Sequence, residues 1–109
     1  MEEAIFRSFD DIPPREIFPG FWAQAVHTPG NTINFISVKA GSTFPRHQHI
    51  HHQCAFLLEG EFEMTVNGET KLLTQGGFAV IPSNIPHAGR AITDCKLVDI
   101  FNPVREDYR

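Results

Sequence analysis

Five of the six histidines fall in two places, His47, His49, His51 and His52 together and His87 alone. Neutral imidazole is the commonest protein ligand for transition-metal ions. His47 and His49 are separated by one residue, and on an extended strand that spacing points both rings to the same face. A sheet protein presenting two nitrogen ligands in this way must draw a third and fourth from neighbouring strands. The competing reading is a solvated histidine cluster with no ligand role, and the pair alone does not separate the two. The row sits mid-chain between two strand signals, so it is not the edge of an expression tag.

A second place for chemistry is the run Cys95-Lys96-Leu97-Val98-Asp99-Ile100-Phe101, which leads into Asn102-Pro103-Val104-Arg105-Glu106-Asp107-Tyr108. Strand parity puts Cys95, Leu97, Asp99 and Phe101 on one face and Lys96, Val98 and Ile100 on the other. With the odd face inward, Asp99 is a carboxylate among apolar side chains. It then needs a partner, a raised pKa or a function. With the even face inward, Asp99 is solvated and Lys96 snorkels out of the core. Parity leaves both facings open, and it leaves Arg105 as a surface residue able to pair with Glu106 or Asp107.

The elements that must position these residues read as strands. Asn31–Val38 is β-branched-rich and bounded by Pro29-Gly30 and Ala40-Gly41. Cys54–Leu58 is a continuous apolar run, as expected of a strand buried on both faces. Glu61–Val66 alternates, with Phe62, Met64 and Val66 on one face, and ends at Asn67-Gly68, a type I′ hairpin signal that returns the chain along Glu69–Thr74. Gly76-Gly77 precedes a strand at Phe78–Ile81, a Pro-Ser-Asn-Ile-Pro loop leads to His87, and Thr93-Asp94 turns the chain into the last strand. No stretch keeps a helical period over three turns. Short strands with frequent turns imply an all-β sandwich or closed barrel. Residues 1–20 carry Pro13, Pro14 and Pro19 and are expected to form an N-terminal arm or edge element, with residues 21–109 as the barrel domain.

A chain of 109 residues makes one core. A formal charge of −4 with nine scattered basic residues argues against a nucleic-acid partner and against a polybasic membrane patch. A buried metal and one Arg can still reverse the potential locally for an anionic substrate. Two cysteines make no disulfide framework, and no basic-then-apolar leader opens the chain, so a cytoplasmic location is expected. Ten Phe against one Trp and one Tyr suggest a core or pocket of flat apolar rings.

The histidine spacing resembles the two motifs of the cupin family. Gly41, five residues, His47-Gln48-His49, three residues, Gln53, six residues and Gly60 match the first, with Gln53 where Glu is usual. Gly76, five residues, Pro82-Ser83-Asn84, two residues and His87 match the second, with Asn84 in place of Gly and Ala91 in place of the terminal Asn. Asn84 can adopt the left-handed conformation a Gly would supply. The resemblance implies a jelly-roll barrel with one divalent transition metal held by His47, His49, Gln53 and His87. His51, His52 and Cys54 are rival ligands. Nitrogen-rich ligation suits Zn²⁺ or Ni²⁺ first, with Fe²⁺, Co²⁺ and Mn²⁺ compatible. A Gln carbonyl is neutral, so the set lacks the carboxylate of ferrous oxygenases and favours Lewis-acid chemistry.

The pattern Asp-x-Phe-x-Pro-x-Arg-x-Asp, with the His-His-Gln-His set and the short length, is similar to the KdgF group of small cupins from pectin and alginate breakdown. That likeness implies conversion of 4,5-unsaturated monouronates to the linear ketonised sugar. By the same likeness Asp99 acts as acid/base, Phe101 forms the pocket wall and Arg105 binds the uronate carboxylate. A homodimer is expected from family habit and the Pro-rich arm. Competing expectations are a non-catalytic sugar- or anion-binding cupin, and a dioxygenase or isomerase on the same barrel. Gln24 and His27 are weaker candidates for the pocket mouth.

Overall fold

In the computed structural model, which describes residues 3–109, every regular element is a strand apart from 3₁₀ turns at Phe9–Asp11 and Glu106–Tyr108. The strands are β1 (Arg15–Phe18), β2 (Phe21–His27), β3 (Thr32–Val38), β4 (Thr43–His47), β5 (His52–Glu59), β6 (Phe62–Val66), β7 (Glu69–Leu73), β8 (Phe78–Ile81), β9 (His87–Ala91) and β10 (Cys95–Asn102). They form one sheet in the order β1-β2-β3-β10-β5-β8 and another in the order β4-β9-β6-β7. Neighbouring strands pair antiparallel. Two such sheets closed over one core make the jelly roll that the sequence implies.

Side-chain parity explains what faces inward. On β3 the even residues Thr32, Asn34, Ile36 and Val38 are buried, and on β10 the odd residues Cys95, Leu97, Asp99 and Phe101 are buried. The ladder fixes these rows against one another. Asp99 lies between Asn34 and Ala55, and Phe101 lies between Thr32 and Gln53. The odd facing of the last strand is therefore the inward one. The β6–β7 hairpin turns at Asn67 and Gly68 with φ of 49° and 81°, as the I′ signal requires. Asn84 has φ 61° and supplies the left-handed turn before His87.

Three expectations are corrected in detail. The strand carrying His47 ends there, and His49 stands in the following loop rather than on an extended strand. Its backbone carbonyl accepts from Asn84 N at 2.7 Å, which holds the loop against the segment leading to His87. The apolar run on β5 is buried on one face only. Gln53, Ala55 and Leu57 point inward, while Cys54 and Phe56 are half-buried and Leu58 is exposed on the outer face. The segment before β1 crosses the outer side, where Gln24 Nε2 donates to the carbonyls of Phe9 and Ile12 rather than lining a pocket. Among the described residues no helix is long and apolar enough to cross a membrane.

The core joins both sheets through Phe21, Ile36, Leu57, Phe62, Met64, Ile81 and Leu97. Each such side chain contributes roughly 1.5–3 kcal/mol when fully buried. Four of the ten Phe form one aromatic cluster. Phe21 meets Phe18, Phe44 and Phe62 edge-on, and Phe44 stacks on Phe62 at 6.2 Å. Phe44 also packs edge-on against His47 at 5.3 Å and His87 at 6.2 Å. Gly89 makes this packing possible, because a Cβ there would lie 2.6 Å from Phe44 and 2.5 Å from Phe62. Gly89→Ala is therefore expected to destabilise the fold by about 1–3 kcal/mol through overpacking. It should also loosen the brace behind two histidines. Denaturant unfolding and a metal titration of the variant would show both effects.

Candidate metal centre and substrate cavity

The imidazoles of His47, His49 and His87 come together although they lie on β4, a loop and β9. The register sets His47 directly opposite His87 across the β4–β9 ladder, with ring centroids 4.4 Å apart. One ligand atom from each of the three lies within 4.8 Å of the others. In each ring Nδ1 is tied to a backbone carbonyl: His47 to Pro45 at 2.9 Å, His49 to His51 at 3.0 Å and His87 to Ile85 at 2.9 Å. A carbonyl can only accept, so Nδ1 carries the proton and Nε2 keeps its lone pair.

Burial lowers the pKa of His87 to about 4, with His47, His49 and Arg105 adding to the effect against the raising bond to Ile85. Burial, then Arg105, lowers that of His49. Both rings are neutral near pH 7. His87 Nε2 is buried with no protein partner. Gln53 points inward at 6% exposure, its Oε1 3.2 Å from His49 Nε2. Two lone-pair atoms facing each other are satisfied by a shared cation. The donor set fits a divalent metal of the nitrogen-preferring kind, with three imidazoles and an amide oxygen as ligands.

The rival ligands separate by position. Cys54 lies on the outer face of β5 and His52 is exposed at its start. His51 lies beside the cluster, 5.5 Å from the His49 ring, but its ring is not among the three whose ligand atoms converge.

Beside the histidines a cavity is lined by Gln53, Asp99, Phe101, Arg105 and Tyr108, with Ile17 and Phe18 from the N-terminal segment. Burial pushes the Asp99 carboxyl up to about 7, and the neighbouring Gln53 amide and Arg105 only partly offset it. Phe101 is 2% exposed and stands edge-on to His49 at 5.7 Å. The Arg105 guanidinium lies 4.9 Å over the Phe101 ring and 4.3 Å over that of Tyr108. Its Nε and Nη2 donate to Asp107 at 3.1 and 2.7 Å, the pairing that a surface reading foresees. Its side chain is nevertheless only 11% exposed. Among the described residues its two Nη1 donors have no protein partner, so one edge of the fork is available to an anion in the cavity.

Sequence reading missed two residues. Asn34 is fully buried opposite Asp99, and neither amide atom has a partner. Tyr108 lines the cavity from the C-terminal turn. Parity could have found Asn34 had the inward face of β3 been known, but Ile33 and Phe35 are as apolar as Ile36. Nothing marked Tyr108 beyond its being the single Tyr of the chain.

Residues 34–101 match the family described as the cupin domain, more than half of the chain. The chain belongs to the cupin family. This cupin is 33% identical over 103 residues to the pectin degradation protein KdgF of Dickeya dadantii, covering 91% of the chain and 93% of that protein. It superimposes on the structure of KdgF from Halomonas sp. with a TM-score of 0.92 at 26% identity, over 98% of the chain and 100% of the other. It is also 39% identical over 59 residues to quercetin 2,3-dioxygenase of Bacillus subtilis. That match covers 53% of the chain but only 18% of the much longer dioxygenase.

The shifts of His87 and Asp99 act oppositely on the stability of the metal-free cupin. His87 titrates at about 4 when folded against 6.5 when unfolded, so its contribution is complete above 6.5 and is lost as pH falls toward 4. Asp99 titrates at about 7 when folded against 3.8, so its contribution is present below 3.8 and is lost as pH rises through 7. Asp99→Asn removes only the second. The stability of Asp99→Asn relative to wild type should therefore climb between pH 4 and pH 7, as measured by denaturant unfolding with chelator present.

Proposed function

We propose that this protein is a metal-dependent enzyme that converts 4,5-unsaturated monouronates, derived from pectin or alginate, to the linear ketonised sugar acid. One observation carries the reading. A buried carboxylate, an Arg and two of the three clustered histidines, His47 and His87, line one cavity. Among the described residues two buried polar atoms without partners belong to that lining, Oδ1 of Asp99 and Nε2 of His87, and Asn34, both of whose amide atoms are unpaired, lies opposite Asp99 in the ladder. Buried polar groups are rarely left unpaired, so a metal ion at His87 and a polyhydroxylated anion at Asp99 would supply what this end of the barrel lacks. The whole-length likeness to KdgF proteins supports the same substrate class.

His47, His49, Gln53 and His87 would hold the metal, which supplies Lewis-acid stabilisation of oxygen-centred negative charge. Arg105 receives the uronate carboxylate on its free edge and fixes the ring over Phe101. Asp99 takes the proton of the anomeric hydroxyl. The electron pair left on that oxygen forms the C1 aldehyde as the bond from C1 to the ring oxygen breaks. The ring oxygen leaves as an enolate across C5 and C4, and Asp99 returns the proton at C4 to give the 5-ketone. No oxidant or reductant is consumed, which agrees with a neutral Gln53 where ferrous oxygenases carry a carboxylate. A carboxyl titrating near 7 is matched to taking and returning a proton near neutral pH.

Purified protein loaded with Zn²⁺ or Ni²⁺ should accelerate loss of the enol-ether absorbance of unsaturated galacturonate, with the ketonised product seen by proton NMR. Chelation should abolish the effect. Asp99→Asn should lower kcat by ~10²–10⁴-fold, and Arg105→Ala should raise KM by about 10–100-fold. Loaded wild type no faster than spontaneous ring opening would sink the reading in favour of a binding cupin. Oxygen uptake with a candidate substrate would favour a dioxygenase.

The protein is proposed to work as a cytoplasmic homodimer, which its two free thiols suit. The outer face of the six-stranded sheet supports the dimer. Phe35, Val98, Phe56 and Phe78 form one cross-strand apolar row, and Ile33, Ile100, Cys54 and Val80 form the next. Phe78 and Val80 at its edge are 60% and 61% exposed. The arm proposed for residues 1–20, whose first two residues lie outside the described ones, lays Phe9 on Phe35 and leaves Ile5 and Phe6 exposed for a partner. Sedimentation should report a dimer for wild type and a monomer for Phe78→Glu, since a stable interface needs roughly 800 Å² from each subunit.

A further inference from the structure

The segment that carries Arg105 stands outside both sheets. After β10 the chain leaves the ladder, and its internal backbone bonds are Tyr108 N to Arg105 O at 3.1 Å and Arg109 N to Glu106 O at 3.2 Å. Among the described residues its recorded polar ties to the barrel are three. Arg105 N donates to Thr32 Oγ1 at 2.8 Å, His27 Nε2 contacts Tyr108 O at 3.3 Å, and Arg15 Nη2 donates to Asp107 O at 3.3 Å. The first two belong to one chain of hydrogen bonds, because His27 Nδ1 lies 2.8 Å from the same Thr32 Oγ1.

The donors in this chain are determined. The Tyr108 carbonyl can only accept, so His27 Nε2 donates to it. The Nδ1 of the neutral ring is then an acceptor and takes the Thr32 hydroxyl proton. That leaves Thr32 Oγ1 to accept from Arg105 N–H, which is the contact observed. Every member is satisfied and no alternative direction works with a neutral ring. Thr32 is fully buried, and the register sets it opposite both His27 and Phe101, so the anchor point cannot drift. The relay grips the segment at Arg105 and at Tyr108, the two residues whose side chains stack at 4.3 Å along the cavity.

We propose that Thr32 and His27 are positioning residues, a buried hydroxyl–imidazole relay that fixes Arg105 and Tyr108 at the cavity so that the guanidinium meets a carboxylate in a preset orientation. The assignment of a uronate carboxylate to Arg105 rests on the function proposed above, whereas the relay itself does not. Preorganisation of this kind acts on binding and leaves the proton-transfer step to Asp99.

The test uses the full chain loaded with Zn²⁺. Thr32→Val removes the hydroxyl at nearly constant volume, and Thr32→Ser restores it. Amide exchange by NMR, read on resting protein, should show the Arg105 N–H exchanging at least tenfold faster in Thr32→Val and close to wild type in Thr32→Ser. Exchange at β5 and β9 should stay unchanged in both. With unsaturated galacturonate, Thr32→Val should raise KM about tenfold with kcat within twofold, and Thr32→Ser should recover the KM. If Thr32→Val fails to fold, His27→Leu at the half-buried end of the relay should speed Arg105 exchange about threefold or more and raise KM in the same sense. Unchanged Arg105 exchange, a serine variant that does not rescue, or a kcat loss equal to the KM rise would each overturn the relay. Absence of turnover in wild type would overturn the proposed function, with the exchange data still deciding the relay.

Discussion

A histidine can ligate a cation only through a nitrogen that carries no proton, and here the carbonyls of Pro45, His51 and Ile85 decide which nitrogen that is. Each of these carbonyls lies two residues from the histidine it orients, so ring orientation is settled within each local segment. Convergence then depends on long-range structure alone. The β4–β9 register brings His47 to His87, and the bond from Asn84 N to His49 O brings the loop histidine to both. Were the Nδ1 atoms released, the three Nε2 lone pairs would lose their common focus. The aromatic cluster behind them acts in the same sense. Phe44 packs on two of the rings and is itself held over a glycine that leaves it room.

The barrel interior is divided along its length, and the division reconciles stability with chemistry. Aligned inward rows on β3, β10 and β5 run from Val38 and Cys95, through Ile36, Leu97 and Leu57, to Asn34, Asp99 and Ala55, and end at Thr32, Phe101 and Gln53. One end is a closed apolar core and the other is polar. Each unpaired buried amide or carboxyl costs on the order of 1–3 kcal/mol. These penalties are confined to the polar end, while the apolar end contributes the burial that offsets them. The raised pKa of Asp99 and the lowered pKa of His87 are two readouts of that single environment. Burial disfavours charge on both, leaving a neutral imidazole and a carboxyl poised near neutrality.

Much of this was legible in the sequence because period and turn chemistry are local. The hairpin at Asn67-Gly68 and the strand at Phe78–Ile81 were readable residue by residue. The resemblance to the cupin motifs gathered His47, His49 and His87 before any fold was known. Facing was not legible where both faces of a strand are apolar. The inward turn of Asp99 needed the ladder that sets it opposite Asn34 and Ala55, and Asn34 itself stayed hidden for the same reason. The outer face of β5 shows the limit from the other side. Its apolar run reads as buried on both faces, yet one chain buries only one of them.

The family likeness and the proposed chemistry rest on different parts of the chain. The cupin pattern ends at Phe101, and Arg105 and Tyr108 lie beyond it. Within the pattern the histidines are a property of the barrel, which hosts quercetin dioxygenation in one relative and pectin degradation in another. Two departures carry the distinction. Gln53 would leave the charge of a bound metal uncompensated by a carboxylate, and the C-terminal turn brings the Arg105 guanidinium to the cavity. The second departure needs the barrel to hold a segment its sheets do not pair. That requirement explains why Thr32 and His27, at the ends of β3 and β2, carry polar side chains where the same rows could have been closed with apolar ones.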